Sequence, residues 1–301
     1  MIRRALIAAV IVIAAGVGAL LIFFSPPGQL SVIDAMIGGG IGANRPGSAI
    51  PFGTHGQTLD VWRPASSGSA TAAINLPVLI FWYGGGWAHG DRRAYAFAAR
   101  AYARAGFVVV VPDYRKVPQI RFPAMLQDGA EAVKWTRDHI AEYGGDPNRI
   151  GIAGHSAGAY TVAMIALDER WLRAEGVDPH IIKAAVGLSG PYNFYPYTSQ
   201  RAVDAMQGVA EPMMAQPITF ARKDAPPMLL VTSTLDTEVR PHNAYDLAKK
   251  LKSLGAPVTL IDYPGLTHEN VAMALSKPFR GKAPVLADGV AFLNRALAPA
   301  P

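Results

Sequence analysis

The 301-residue chain contains no cysteine. That absence excludes disulfides, thiolate nucleophiles and cysteine-ligated zinc or iron–sulfur centres. It leaves the compartment open, because an exported protein can do without disulfides. Clustered charge is also missing. The 28 Lys and Arg against 22 Asp and Glu give a formal net charge of +6, yet the cations are scattered and no basic run interleaves with aromatics. A solvated, mildly basic surface is expected, with no nucleic-acid partner. There is no internal repeat. The glycine run at 84–86 does not continue as G-x-x-x-x-G-K-[ST] or G-x-G-x-x-G, which argues against a phosphate cradle.

Long apolar runs are absent from most of the chain but not from its start. Residues 5–24 are twenty consecutive apolar or small residues without a charge, preceded by Arg3 and Arg4. At 1.5 Å rise per residue such a run spans the ~30 Å hydrocarbon core of a bilayer. It has no polar face, unlike a helix packed on a soluble core. It ends in Leu21-Ile22-Phe23-Phe24 before Pro26-Pro27, a poor context for signal-peptide cleavage. Residues 1–25 are therefore read as an uncleaved membrane anchor, with a cleaved signal segment as the alternative. The arginines stay cytoplasmic by the positive-inside rule, which puts the remainder on the periplasmic or extracytoplasmic side.

Residues 26–55 are rich in Gly, Pro and Ser and read as a linker or arm. From residue 56 to 301 strands alternate with helices. Strands are expected at 58–63, 78–83, 107–111, 150–153, 184–188, 228–233 and 258–262, and helices at 94–105, 125–143, 157–167, 245–254 and 285–297. Several strand runs are continuously apolar, as parallel strands covered on both faces must be. The pattern predicts an α/β domain with a mostly parallel sheet and helices on both sides. The stretch 190–227 breaks the alternation. Its aromatic start (Tyr192, Phe194, Tyr195, Tyr197) suits a lid or pocket wall.

Gly154-His155-Ser156-Ala157-Gly158 matches G-x-S-x-G, between a strand pattern and a helical one. A sharp strand-to-helix turn strains its central residue and admits only small neighbours, leaving the Ser156 hydroxyl exposed above the sheet. A serine hydroxyl needs a base, and the base an orienting acid. Of the seven histidines, His268 follows the strand at 258–262 through a turn. Asp236 follows the strand at 228–233 in the same way. The order Ser156, Asp236, His268 is the one this architecture uses. Two other carboxylates compete: Glu238, two residues from Asp236, and Asp262, placed at a strand end.

A tetrahedral oxyanion would need amide donors. Gly84-Gly85-Gly86-Trp87 follows the strand at 78–83 directly, and glycines let the backbone approach a substrate closely. The expected donors are Gly85, Gly86 and Ala157, with the Trp87 amide as a substitute for one glycine. Trp87 and Tyr192 are expected to line an apolar substrate pocket.

Together these residues resemble the α/β-hydrolase fold, in its esterase/lipase branch of hormone-sensitive-lipase-like and feruloyl-esterase-like carboxylesterases. The resemblance covers residues 56–297. It extends to Val111-Pro112-Asp113-Tyr114-Arg115, Phe122-Pro123-Ala124, Asp128 and Gly144-Gly145-Asp146-Pro147-Asn148-Arg149-Ile150. Two positions depart from the family pattern: Tyr83 stands where histidine usually precedes the glycines, and Ala159 where glycine usually follows the elbow. The resemblance implies hydrolysis of a small-molecule carboxylic ester through an acyl-enzyme on Ser156, with no metal or organic cofactor. Aryl-formamide hydrolysis and non-catalytic binding are the alternatives. Oligomeric state is not indicated.

Overall fold

The apolar runs of the sequence become the strands of one eight-stranded sheet. The computed structural model describes residues 25–65 and 75–299. Helix α1 (Pro26–Asp34) leads into β1 (Ala43–Phe52) and β2 (Gln57–Pro64). There follow β3 (Leu76–Trp82), α2 (Ala96–Arg104), β4 (Val108–Pro112), α3 (Ala124–His139), β5 (Gly145–His155) and α4 (Ala157–Leu167). A short α5 (Arg170–Ala174) precedes β6 (Ile182–Leu188), α6 (Gln200–Met206), β7 (Met228–Thr232) and α7 (His242–Ser253). The chain closes with β8 (Val258–Asp262), α8 (His268–Met273) and α9 (Val285–Ala296).

The strand order is β1-β2-β4-β3-β5-β6-β7-β8. Strands β3 to β8 run parallel, while β2 is antiparallel to both β1 and β4. Every residue of β4 (Val-Val-Val-Val-Pro) and of β7 (Met-Leu-Leu-Val-Thr) is buried, which explains their unbroken apolar runs. Helix α4 is buried along its whole length, and accordingly its sequence shows no polar face. From β3 the chain moves outward to β4, then returns to place β5 on the other flank of β3. Connections that diverge in this way open a crevice at the carboxyl ends of the two strands. The register aligns those ends: Trp82 lies beside Gly154, His155 beside Leu188, and Thr232 beside Asp262.

The arm expected at residues 26–55 is instead part of the packed structure. Its Pro and Gly content suits an edge strand: β1 carries Pro46 and Pro51 and shifts register twice around Gly47, and missing N–H groups cost little at an edge. Helix α1 is fastened to α2. Ser31 Oγ donates to the Ala94 carbonyl at 2.7 Å, and buried Asp34 pairs with Arg100 at 2.8 Å. Gly39 rests on that same carboxylate, where a Cβ would come within 2.1 Å of Asp34 Oδ2. The stretch 190–227 holds α6 and two 3-10 turns, and Gln216 accepts from the Phe194 amide at 2.7 Å. The apolar run at 5–24 lies outside the described residues. Among the described residues no helix is long and apolar enough to cross a membrane.

Candidate active site

Ser156 ends the central strand β5 and begins α4. Its backbone is held at φ 55° and ψ −121°, a region that non-glycine residues enter only under constraint. The constraint is visible in the flanking glycines. A Cβ on Gly158 would meet the Trp82 carbonyl oxygen at 2.1 Å, and one on Gly154 would meet the Gly158 carbonyl carbon at 2.5 Å. Ala159, where the family pattern has glycine, is fully buried without distorting the helix. Between residues 150 and 168 Ser156 alone is not buried, so the strain presents its hydroxyl to solvent.

The expected acid and base follow β7 and β8 respectively. His268 Nδ1 lies 2.8 Å from Asp236 Oδ2, and both residues are buried. Asp236 Oδ1 accepts from the amides of Glu238 and Val239 at 3.1 and 2.8 Å, which fixes the carboxylate plane. Burial alone would raise the Asp236 pKa; the His268 hydrogen bond and charge and the Val239 amide outweigh it and hold the group below the usual carboxylate value. Ser233 Oγ donates to the Leu266 carbonyl at 2.5 Å, tying the acid loop to the histidine loop. The two competing carboxylates lie in other surroundings. Glu238 is exposed, and Asp262 accepts from the Thr234 amide and the Tyr245 hydroxyl.

The sequence reading overlooked His155, the residue beside the nucleophile. Its ring lies 4.8 Å from that of His268. Its Nε2 is 3.1 Å from the His268 carbonyl oxygen and its Nδ1 is 3.0 Å from the Tyr95 hydroxyl. Facing a carbonyl, Nε2 carries the proton, and Nδ1 accepts from Tyr95. Burial, reinforced by the charge of His268, pushes the His155 pKa down to about 3. A neutral imidazole therefore links the turn at Ser156 to the backbone of His268. A histidine directly after an apolar strand run was the available signal.

The glycine loop lies against this elbow. A Cβ on Gly84 would come within 3.0 Å of Ser156 Cβ, and Gly85 and Gly86 adopt φ of +143° and +59°. The amides of Gly85, Gly86 and Ala157 have no acceptor among the described residues, so they are available to a ligand. Tyr83 braces the loop from behind. Its hydroxyl donates to Asp113 at 2.9 Å, and the same carboxylate accepts from the Arg92 amide at 3.0 Å. Trp87 stacks on Phe194 at 6.0 Å and meets Tyr160 edge-on at 5.4 Å, forming an aromatic wall next to the loop. Tyr192 does not belong to that wall. It is fully buried, with its ring packed over Gly187 and Gly190, because those glycines leave a slot only a side chain from the following turn can fill. Phe194, two residues on, is the ring of this stretch that stacks on Trp87.

This geometry can carry out nucleophilic acyl transfer: a partly exposed serine, a buried histidine–carboxylate pair, and unpaired amides on one sheet edge. Among the described residues no group of three or more His, Asp or Glu side chains could hold a metal ion.

Residues 59–251 match the BD-FAE family model. The chain is 33% identical over 233 residues to esterase LipC of Mycobacterium tuberculosis (strain ATCC 25618 / H37Rv), covering 70% of this chain and 56% of that protein. It is 32% identical over 246 residues to carboxylesterase NlhH of the same strain, covering 74% and 75% respectively. The chain thus spans little more than half of the first relative and three quarters of the second. Among solved structures, the carboxylesterase EstE1 cloned from a metagenomic library superposes with a TM-score of 0.71 at 23% identity, over 90% of this chain and 96% of that one. An esterase of Pyrobaculum calidifontis gives 0.69 at 23% identity, over 90% and 92%.

Proposed function

The chain belongs to the BD-FAE family and has the α/β-hydrolase fold, and from that premise we propose that it is a serine carboxylesterase. In this reading Ser156 Oγ attacks the ester carbonyl carbon while His268 Nε2 takes its proton. Asp236 holds the other ring nitrogen and offsets the imidazolium charge. The amides of Gly85, Gly86 and Ala157 receive the oxyanion, each contributing about 3 kcal/mol in the transition state. Collapse of the tetrahedral intermediate expels the alcohol, which takes the proton from His268. Water, deprotonated by the same histidine, then releases the acid. The observation that carries the reading is the strained Ser156 at the end of β5, with the buried His268–Asp236 pair supplied by the ends of β7 and β8 on the same sheet edge.

The relatives are named as esterases, which favours an ester over a formamide. The aromatic wall of Trp87 and Phe194 favours short acyl or aromatic esters. Hydrolysis of p-nitrophenyl butyrate and labelling by a fluorophosphonate are expected in the wild type, with an aryl formamide turned over more slowly. Ser156→Ala should lose labelling and about 10⁶-fold in kcat. An unlabelled, folded wild type would overturn the proposal.

The apolar residues 5–24 and Arg3-Arg4 support a second element of the reading, a membrane anchor with the catalytic domain on the periplasmic or extracytoplasmic side. Retention of the full chain in membranes after alkaline carbonate washing is the expected result; release into the wash would contradict it.

A further inference from the structure

Nine large apolar side chains are exposed among the described residues, and four of them lie between residues 33 and 41: Ile33, Met36, Ile37 and Ile41. Met36 is 79% exposed and Ile41 77%. Such a concentration on a soluble face marks an interaction surface. Nor does it belong to a loose tail. The same segment is fixed through Ser31 to Ala94, and through Asp34 to Arg100 and to the Lys277 amide at 2.7 Å. Ser31 and Asp34 are turned inward and bonded, while Ile33, Met36, Ile37 and Ile41 face out.

The surroundings of this patch are cationic. Lys277 Nζ donates to the Ile37 carbonyl at 2.7 Å. Met36 and Trp62 share an open groove of about 610 Å³ with Arg45 and Arg93, the paired Arg100 lying at its buried side. The side chain of Arg104 lies alongside Gly42. The acids here are largely engaged: Asp34 is buried against Arg100, and Asp60 is buried between Arg45 and Arg92. Asp91 is half-buried in the groove, 3.9 Å from Arg93 and accepting from the Arg93 and Ala94 amides. Apolar side chains rimmed by Lys and Arg are the composition that inserts at an anionic lipid surface.

Chain connectivity fixes which surface lies within reach. The twenty-residue apolar run ends at Phe24, one residue before α1 begins at Pro26. Nine helical residues rise about 13 Å, so a bilayer holding residues 5–24 lies within a few nanometres of Met36. We propose that the surface of Ile33, Met36, Ile37 and Ile41 docks on the anionic face of a phospholipid bilayer. It holds the domain down beside its anchor rather than free on a tether. The inference rests on the anchor reading above and adds a second, peripheral contact.

The absence of cysteine allows a clean test in the full chain. Met36→Cys, Ile41→Cys and, on α7 beside the opposite edge of the sheet, Lys249→Cys are each labelled with an environment-sensitive fluorophore. Thermal melting checks that each variant is folded. The proteins are reconstituted in phosphatidylcholine vesicles with and without phosphatidylglycerol, and flotation is measured on the same samples. The labels at 36 and 41 should shift to shorter wavelength and lose intensity when the acyl chains are brominated, more so with phosphatidylglycerol. The label at 249 should do neither. Flotation with unshifted labels at both 36 and 41 overturns the docking surface and leaves the anchor standing. Failure to float overturns the anchor and the docking with it. A shift without bromine quenching means that protein covers the patch, either a second copy or residues 5–24, and also overturns the proposal.

Discussion

His155 shows how much a single side chain can decide at this site. It is a buried, neutral imidazole bonded to Tyr95 on one side and to the His268 backbone on the other. Its folded pKa of about 3 lies below the ordinary histidine value of about 6.5. Between those two values the unfolded chain binds a proton that the folded chain refuses. Stability is therefore full above about pH 6.5 and falls by up to about 1.4 kcal/mol per pH unit on acidification toward pH 3. Asp236 acts in the same direction: its depressed folded pKa contributes stability that is lost as pH falls through that value. His155→Phe should flatten the acid slope measured by denaturant titration at a series of pH values. It should also cost about 1–3 kcal/mol at neutral pH, from the unpaired His268 carbonyl and Tyr95 hydroxyl. An unchanged slope would mean that His155 titrates normally in the fold. At the acid, Asp236→Asn should lower kcat about 10⁴-fold by favouring the wrong His268 tautomer, whereas Glu238→Gln should stay close to wild type. Steady-state kinetics of the pair would show a misassignment as the reverse ranking.

At the scale of elements, parallel strands buried on both faces leave an unmistakable trace, and β4 and β7 were legible as apolar runs for that reason. The placement of Ser156, Asp236 and His268 was legible too, since each follows a strand and their order along the chain matches the fold. β1 was not. An edge strand bonded on one side only can carry Pro46, Pro51 and a bulged Gly47, and local composition cannot tell it from a linker. Tyr192 was misjudged because aromatic content does not say which ring fills the core. Helix α1 was hidden similarly, for its attachment depends on Asp34 meeting Arg100, 66 residues away. That contact gives the element its test. Asp34→Ala leaves the Arg100 guanidinium buried without its carboxylate, and losing one partner of a buried pair costs about 3–5 kcal/mol. Chemical denaturation should show that loss, while kcat of the protein that remains folded should change little. A cost near zero would mean that water reaches Arg100 and α1 is only loosely held.

Over the whole molecule, the candidate site is assembled from the ends of β3, β5, β7 and β8, so residues 85 to 268 converge only when the sheet is complete. Every residue assigned to it lies within the described domain, and none within 1–24. Two consequences follow from that placement. A chain beginning at Ser25 should keep its kcat/KM on a soluble ester, because every strand of the sheet and every assigned site residue lies between 25 and 299. Its loss of activity in guanidinium should also coincide with the change in tryptophan fluorescence. Trp82 and Trp87 sit in the strand and loop that form the crevice, and one continuous core joins them to both flanks of the sheet. Cooperative unfolding makes such probes report a single transition. Activity lost well before the fluorescence change would show instead that the loops bearing Asp236 and His268 open on their own. The Ser233–Leu266 hydrogen bond would then be too weak to couple them to the sheet.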